Sequence, residues 1–433
     1  MTTRETTGDV PRHVGAVRSY RRLRAVAVVL VAAVALGAGL VGFTILRWRS
    51  NVTTLPSVAD LVAPPPTTAT ASGVVGHAVD ASDPMAGRAV TLLLLGTDDR
   101  SGDNAALAGA DQGGGSDTAM LVHLPADRSR VEVVAIPRDT RAEIPACHLD
   151  RDPEGPMSRP RTAKFNEAFA IGWGTGDPAL AAACTISTVQ TMTGLTVDAF
   201  AIIDMAGFVG MVEAVGGVRV CVPEPLQDSR YTGLSLPAGW ADLDGVTALQ
   251  YVRARHVDGG DGTDPARIER QHLFIGALVR KVLSSDVLAS PLATGRFLDA
   301  VTSSLTVSAE LADPGTILGL GWSLRDLRPT DLTFMTVPWA YADGGRYVAW
   351  TDDAAEVWAR LAADVPLAGG GSPAAEAASD GTAAGAGGAD GGATTGGDPA
   401  PGEDPAAGDG AAAPPVGGAA LSTAEDLGAA VCG

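Results

Sequence analysis

The sequence predicts an α/β domain, a mixed β-sheet flanked by helices in an α/β/α sandwich, with one transmembrane helix before it and a disordered tail after it. Three observations predict this. Between about residues 87 and 366, short apolar runs of strand length alternate with longer segments of helical character. One early pair of runs is joined by a five-residue turn, so part of the sheet is antiparallel. Both ends of the chain have compositions that cannot bury a core.

Ala25–Leu46 is an uncharged apolar run of 22 residues, about 33 Å long as a helix and enough to cross a bilayer. A cleaved signal peptide would have a shorter apolar region and a small-residue cleavage site; Arg47-Trp48-Arg49 follows instead. Arg18, Arg21, Arg22 and Arg24 precede the run, against Arg47 and Arg49 after it. The positive-inside bias therefore puts residues 1–24 in the cytoplasm and everything beyond residue 50 outside the membrane. Residues 50–85, rich in Pro, Thr, Ala and Ser, read as a linker. Residues 367–433 read as a Gly/Ala/Pro/Asp-rich disordered tail.

Within 87–366 the elements follow in order. Val90–Leu95, Thr118–Leu124 and Arg130–Ile136 are strands, the last two joined by Pro125–Ser129. Pro178–Thr193 is a helix closed by Gly194, Asp198–Asp204 a strand, and Met205–Val215 a helix stopped by Gly216-Gly217. Val218–Val222 is a strand. Asp264-Pro265 opens a helix to about Ser285, with Asp as cap and Pro in the first turn. Leu311–Leu327, Leu332–Val337 and Asp352–Ala363 add a helix, a strand and a helix. Cys147, Cys184 and Cys221 would face an oxidising exterior; of the pairings that four cysteines allow, Cys147–Cys184 is favoured.

The chain carries 50 acidic and 31 basic residues, a net −19. The +4 of residues 1–24 and the nine acids of 367–433 leave −14 on the remainder. That balance excludes a general nucleic-acid binder, which needs a basic face. There is no G-x-x-x-x-G-K-[ST] loop, no H-E-x-x-H and no G-x-S-x-G. The six histidines are scattered, which argues against zinc.

Charged residues nevertheless concentrate in two places. If the first three strands pair antiparallel, Asp98, Asp99 and Arg100 come to the same sheet edge as Asp117, Arg138 and Asp139. Such carboxylates suit a hard cation that shares its shell with water and phosphate, and guanidinium groups clamp phosphate. Capped loop ends and surface ion pairs would give the same spacing. The second cluster holds Arg253, Arg255, Arg267 and Arg270 within 18 residues, followed by Gln271. Arg253 and Arg255 share a face only in an extended stretch, whereas Arg267 lines up with Arg270 and Gln271 along a helix. This reads as an anion site or, if Glu269, Asp258 and Asp261 neutralise it, as a salt-bridged surface. Lys164, one of only two lysines, begins Lys164-Phe165-Asn166-Glu167.

Seven segments in order carry a resemblance: Leu92–Arg100 (LLLLGTDDR), Gly115–Leu121 (GSDTAML), Ile136–Thr140 (IPRDT), Lys164–Ala168 (KFNEA), Gly216–Val220 (GGVRV), Ala248–Arg255 (ALQYVRAR) and Asp264–Gln271 (DPARIERQ). Together they resemble the LytR-CpsA-Psr family of membrane-anchored cell-wall glycopolymer transferases. The resemblance implies a pocket for a polyprenyl-pyrophosphate-linked glycan and a peptidoglycan acceptor. It also implies Mg²⁺ (or Mn²⁺) on Asp98 and Asp117. Arg100, Arg138, Arg253, Arg255, Arg267 and Gln271 would contact the pyrophosphate, with Arg270 and Lys164 in the same shell. Asp98, Asp139 and Arg138 would serve catalysis, Asp139 as a supporting carboxylate that orients Arg138 or the metal's water. The family often has Arg where Gly115 stands, so that contact is either missing here or supplied by Arg100 or Arg141. A hydrolase releasing the phosphosugar and a non-catalytic prenyl-phosphate binder are the alternatives.

Overall fold

The computed structural model describes residues 24, 26–28, 46–47, 50–65, 83–108, 114–257, 264–283, 291–367, 416–417 and 421–429. The chain divides into two units, Met1–Asn51 and Val52–Gly433. Residues 1–23 of the predicted cytoplasmic segment and most of the predicted membrane span 25–46 lie outside the described residues. Among the described residues, no helix is long and apolar enough to cross a membrane.

The strands of the second unit are β1 (Thr53–Thr54), β2 (Val90–Thr97), β3 (Ser116–Leu124), β4 (Val131–Ile136), β5 (Arg141–Ile144), β6 (Arg161–Lys164), β7 (Ala199–Ile203), β8 (Val218–Val222) and β9 (Leu226–Asp228). They continue with β10 (Leu234–Leu236), β11 (Gly239–Leu243), β12 (Leu305–Val307), β13 (Leu332–Thr336), β14 (Trp339–Ala342), β15 (Tyr347–Trp350), β16 (Val416–Gly417) and β17 (Ser422–Thr423). The helices are α1 (Asn104–Ala108), α2 (Asn166–Trp173), α3 (Pro178–Thr193), α4 (Met205–Ala214), α5 (Gly245–Arg253), α6 (Asp264–Leu283), α7 (Pro291–Ser304), α8 (Pro314–Ser323), α9 (Asp353–Ala362) and α10 (Asp426–Ala429).

Eight strands make one sheet in the order β1-β12-β7-β2-β3-β4-β13-β17. β2 and β4 each run antiparallel to β3, while β7 is parallel to β2 and β13 is parallel to β4. The sheet is mixed, as the alternation of elements predicts. Its apolar side chains split by parity: Leu93 and Leu95 enter the layer built on α2, α3 and α9, and Leu92 and Leu94 enter the layer that contains Ile268 of α6 and Leu320 of α8. A smaller third cluster joins β8, β10 and β11 to α4, α5 and α6. Helix α3 begins at Pro178 under an Asp177 cap and ends at Gly194, whose φ of 74° needs a residue without Cβ. Ala199–Ile203, in the sheet interior, packs as core, while Phe208 of α4 stays half-buried.

Three boundaries differ from the sequence expectation. The linker 50–85 is not wholly a tether: β1 pairs with β12, and Leu55, Val58 and Leu61 are buried against α3. Its Pro/Thr-rich average hides an apolar residue every third position. The reading of 367–433 as disordered is corrected at its described residues. There β17 extends the sheet beside β13, Ala424 is fully buried, and Leu427 packs on Gly276 of α6. Ala424 and Leu427 supply the apolar contacts, and Thr423 with Asp426 the capping hydrogen bonds, of this segment. The helix expected over Leu311–Leu327 starts only at Pro314, because Asp313 caps Thr316 and proline belongs in a first turn.

The disulfide expected from sequence is present, Cys147–Cys184, tying β5 and its connection to α3 across 37 residues. Cys221 is disulfide-bonded as well. Replacing Cys147 and Cys184 together by Ala is expected to lower unfolding free energy by about 3–4 kcal/mol for a loop of that length. A urea titration read by fluorescence checks it; an unchanged midpoint would refute the estimate.

Candidate active site

The C-terminal end of β2 and the N-terminal end of β3 lie side by side, Asp98 N donating to the Gly115 carbonyl at 2.9 Å. Gly96 pairs with Thr118 but Thr97 pairs with Ser116, so Asp117 is the extra residue of a β-bulge. The bulge breaks the alternation of faces and re-aims Asp117 toward the arginines. Gly96 is needed beside it, because a Cβ there would lie 3.1 Å from that of Thr118.

Asp117 is the hub. Its Oδ1 accepts from Arg138 Nη1 at 2.7 Å, and its Oδ2 lies 3.1 Å from Arg255 Nη2 and 3.5 Å from Arg267 Nη1. The Arg255 contact is an ion pair without hydrogen-bond alignment. Arg267 also donates to the Asp117 carbonyl. Behind the hub lies Asp264, fully buried at the start of α6. Its Oδ2 accepts from the Arg138 backbone at 2.7 Å, and its Oδ1 pairs with Arg267. Asp98 forms the adjoining group, accepting from Arg253 Nη2 at 2.9 Å and from Arg100 Nη2 at 3.0 Å. Asp139 pairs with Lys164 at 2.8 Å and lies 3.7 Å from Arg138 Nε.

Arg253 is the last helical residue of α5; Ala254 then turns extended, so Arg253 reaches Asp98 and Arg255 reaches Asp117. Arg270 turns back to the Ala254 carbonyl and thereby holds that segment. Gln271 Nε2 bridges Thr118 Oγ1 at 3.0 Å and the Val252 carbonyl at 3.1 Å. Both are buried, and these contacts position the arginine-bearing strand end and helix end. The structure thus brings Asp98, Arg100, Asp117, Arg138, Asp139, Lys164, Arg253, Arg255 and Arg267 together. Arg141 stays exposed beside Asp343, 3.6 Å away, whereas Arg100 pairs with Asp98.

Five guanidinium groups and one ammonium here face four carboxylates, an excess of two positive charges. Burial opposes ionisation of Asp117, but Arg267, Arg255 and Arg138 outweigh it and hold its carboxyl down at about 2. Burial and then Arg267 bring Arg255 down to about 10, still charged at neutral pH, with Asp117 and Asp264 opposing the shift. Among the described residues, no group of three or more His, Cys, Asp or Glu side chains forms a metal site. Asp98 and Asp117 are each partly exposed, and every oxygen of the two carboxylates already faces a guanidinium group.

Sequence reasoning missed Asp264 as a site residue, because an Asp before Pro at a helix start reads as a cap. Its carboxylate instead serves Arg138, Arg267 and, 3.9 Å away, Arg255.

Residues 67–363 match the profile of the LytR_cpsA_psr family. The chain belongs to this family. Among LytR-CpsA-Psr relatives, the cell wall biosynthesis protein LcpA of Corynebacterium glutamicum is 33% identical over 280 residues, 59% of this chain and 51% of that protein. The polyisoprenyl-teichoic acid–peptidoglycan teichoic acid transferase TagU of Oceanobacillus iheyensis is 28% identical over 232 residues, 53% of this chain and 62% of TagU. The chain spans about half the length of the curated relatives it matches first. A solved LytR-Csp2A-Psr enzyme from Actinomyces oris matches with a TM-score of 0.47 and 23% identity, covering 67% of this chain and 96% of that one.

Two measurements test this LytR-CpsA-Psr site. The Asp117 carboxyl is depressed, so its stabilisation is complete above its unfolded value near 4 and is lost as pH falls through about 2. Unfolding free energy should therefore fall more steeply from pH 4 to 2 in wild type than in Asp117→Asn; equal slopes would contradict it. Asp264→Ala strands the buried Arg267 and is expected to cost about 3–5 kcal/mol. In a denaturant double-mutant cycle with Arg267→Met, the paired loss should be clearly smaller than the sum.

Proposed function

We propose that this protein moves a glycopolymer, as its sugar-1-phosphate, from a polyprenyl-pyrophosphate carrier to a hydroxyl of peptidoglycan during cell-wall assembly. It would do so as a single-pass membrane protein with a cytoplasmic N-terminus and an extracytoplasmic catalytic domain. The observation that carries the reading is the positive excess at the end of β2 and β3. A diphosphate diester bears two negative charges, the complement of that excess. The relative TagU, named for a transfer from a polyisoprenyl carrier to peptidoglycan, supports the same substrates.

The acceptor hydroxyl attacks the phosphorus that carries the sugar. The bond from that phosphorus to the bridging oxygen breaks, and lipid monophosphate leaves with the electron pair. Arg138, Arg253, Arg255 and Arg267 would hold the phosphoryl oxygens, and charge spreading over them in the transition state is met by groups already in place. The carboxylates that could take the hydroxyl proton are Asp98, Asp99 and Asp139; Lys164 holds Asp139 in place beside Arg138. Mg²⁺ or Mn²⁺, held by Asp98 and Asp117, would supply further neutralisation of the diphosphate when bound. The chemistry requires no nucleotide, in keeping with the missing phosphate loop.

The full-length chain in detergent, with Mg²⁺, a prenyl-pyrophosphate glycan and a peptidoglycan fragment, should release lipid monophosphate and join glycan to acceptor. Arg138→Ala should lower the rate by about 100-fold, and EDTA should abolish it. Equal rates for wild type and Arg138→Ala would overturn the assignment. Phosphosugar free in solution would make the enzyme a hydrolase.

A further inference from the structure

One residue along the chain from Arg255, two aromatic rings are left open to solvent. Tyr231, in the β9–β10 turn, is 61% exposed, and its ring stacks on that of exposed His256 with centroids 4.1 Å apart and planes 29° apart. The Arg230 guanidinium lies 5.6 Å from the Tyr231 centroid. His256 directly follows Arg255 in the chain, so this stack begins one residue from a guanidinium that pairs with Asp117.

The placement is built rather than incidental. Asp228, fully buried, accepts from Tyr231 N through Oδ1 and from Arg255 N through Oδ2, each at 3.3 Å. Its carbonyl closes the turn by accepting from Gly233 N at 2.9 Å and Thr232 N at 3.2 Å. One carboxylate therefore locks the aromatic loop to the segment that carries Arg255. Among the described residues, no apolar cluster of the core includes Tyr231 or His256.

A sugar ring has a face of C–H groups and a rim of hydroxyls. Aromatic faces cover the first, and cationic or amphipathic groups such as Arg and His bond the second. We propose that Tyr231 and His256, with Arg230 beside them, are the platform for the first sugar ring of the diphosphate-linked glycan. This rests on the diphosphate reading of the arginine site and adds to it where the saccharide lies. Tyr231 would then act on recognition of the sugar and not on the phosphoryl group.

The test compares binding of two detergent-dispersed probes to the full-length chain: a short prenyl diphosphate, and the same lipid bearing one N-acetylhexosamine on its diphosphate. Tyr231→Ala should weaken the sugar-bearing probe by about 5–10-fold and leave the bare diphosphate unchanged, while Tyr231→Phe keeps wild-type affinity for both. Equal effects of Tyr231→Ala on both probes, or none on either, would overturn the platform and leave the diphosphate site standing. If wild type binds neither probe, the diphosphate reading fails and the platform with it.

Discussion

The buried pair of Asp264 and Arg267 is the contact on which the rest of the site depends. Five guanidinium groups at one sheet edge repel one another, and each would turn outward to water if nothing inside opposed it. Asp264 is closed to solvent and to any ligand, so its charge is a permanent part of the cluster. Through one carboxylate it fixes the first turn of α6 by Arg267 and the end of β4 by the Arg138 backbone. A buried pair of this kind contributes little net stability, since desolvation offsets most of the attraction. What it contributes is register: α6 can approach the sheet in one way only.

The other carboxylates behave differently. Asp98, Asp117 and Asp139 are each partly open, and each engages side chains that also face solvent. Their pairing with Arg138, Arg253 and Lys164 is therefore exchangeable for an arriving anion, whereas that of Asp264 is not. The network separates a fixed counter-charge below from displaceable ones above. This division lets a strongly cationic cradle stay folded before substrate arrives.

Much of this was legible in the sequence because it follows local periodicity. The runs Val90–Leu95, Thr118–Leu124 and Arg130–Ile136 fix three strands, and their antiparallel pairing delivers Asp98, Asp117 and Arg138 to one edge. The helix Pro178–Thr193 announces both of its ends through Asp177-Pro178 and Gly194. The bulge at Asp117 was not legible, since it depends on how two strands meet and leaves no compositional mark. Asp264 was concealed by a simpler explanation, the cap before a proline. Leu55, Val58 and Leu61, and later Ala424 and Leu427, were hidden because low-complexity neighbours dominate any average over their windows, although each buries against a distant element.

The charge distribution bears on how such a site would meet its ligand. The body of the chain, residues 25–366, carries −14, so at distances beyond a Debye length of about 8 Å the protein does not attract anions. The local excess of two positive charges acts only at short range, at the sheet edge formed by β2, β3 and the start of α6. Diffusing polyanions are therefore not drawn in, and an anion must be brought close by something else. On the proposed reading that agent is the membrane: a prenyl chain confines the diphosphate to the surface to which the protein is itself anchored, and capture needs no long-range field. An acidic body around a small guanidinium cradle then gives selectivity for a membrane-presented diphosphate over soluble phosphates and nucleic acid.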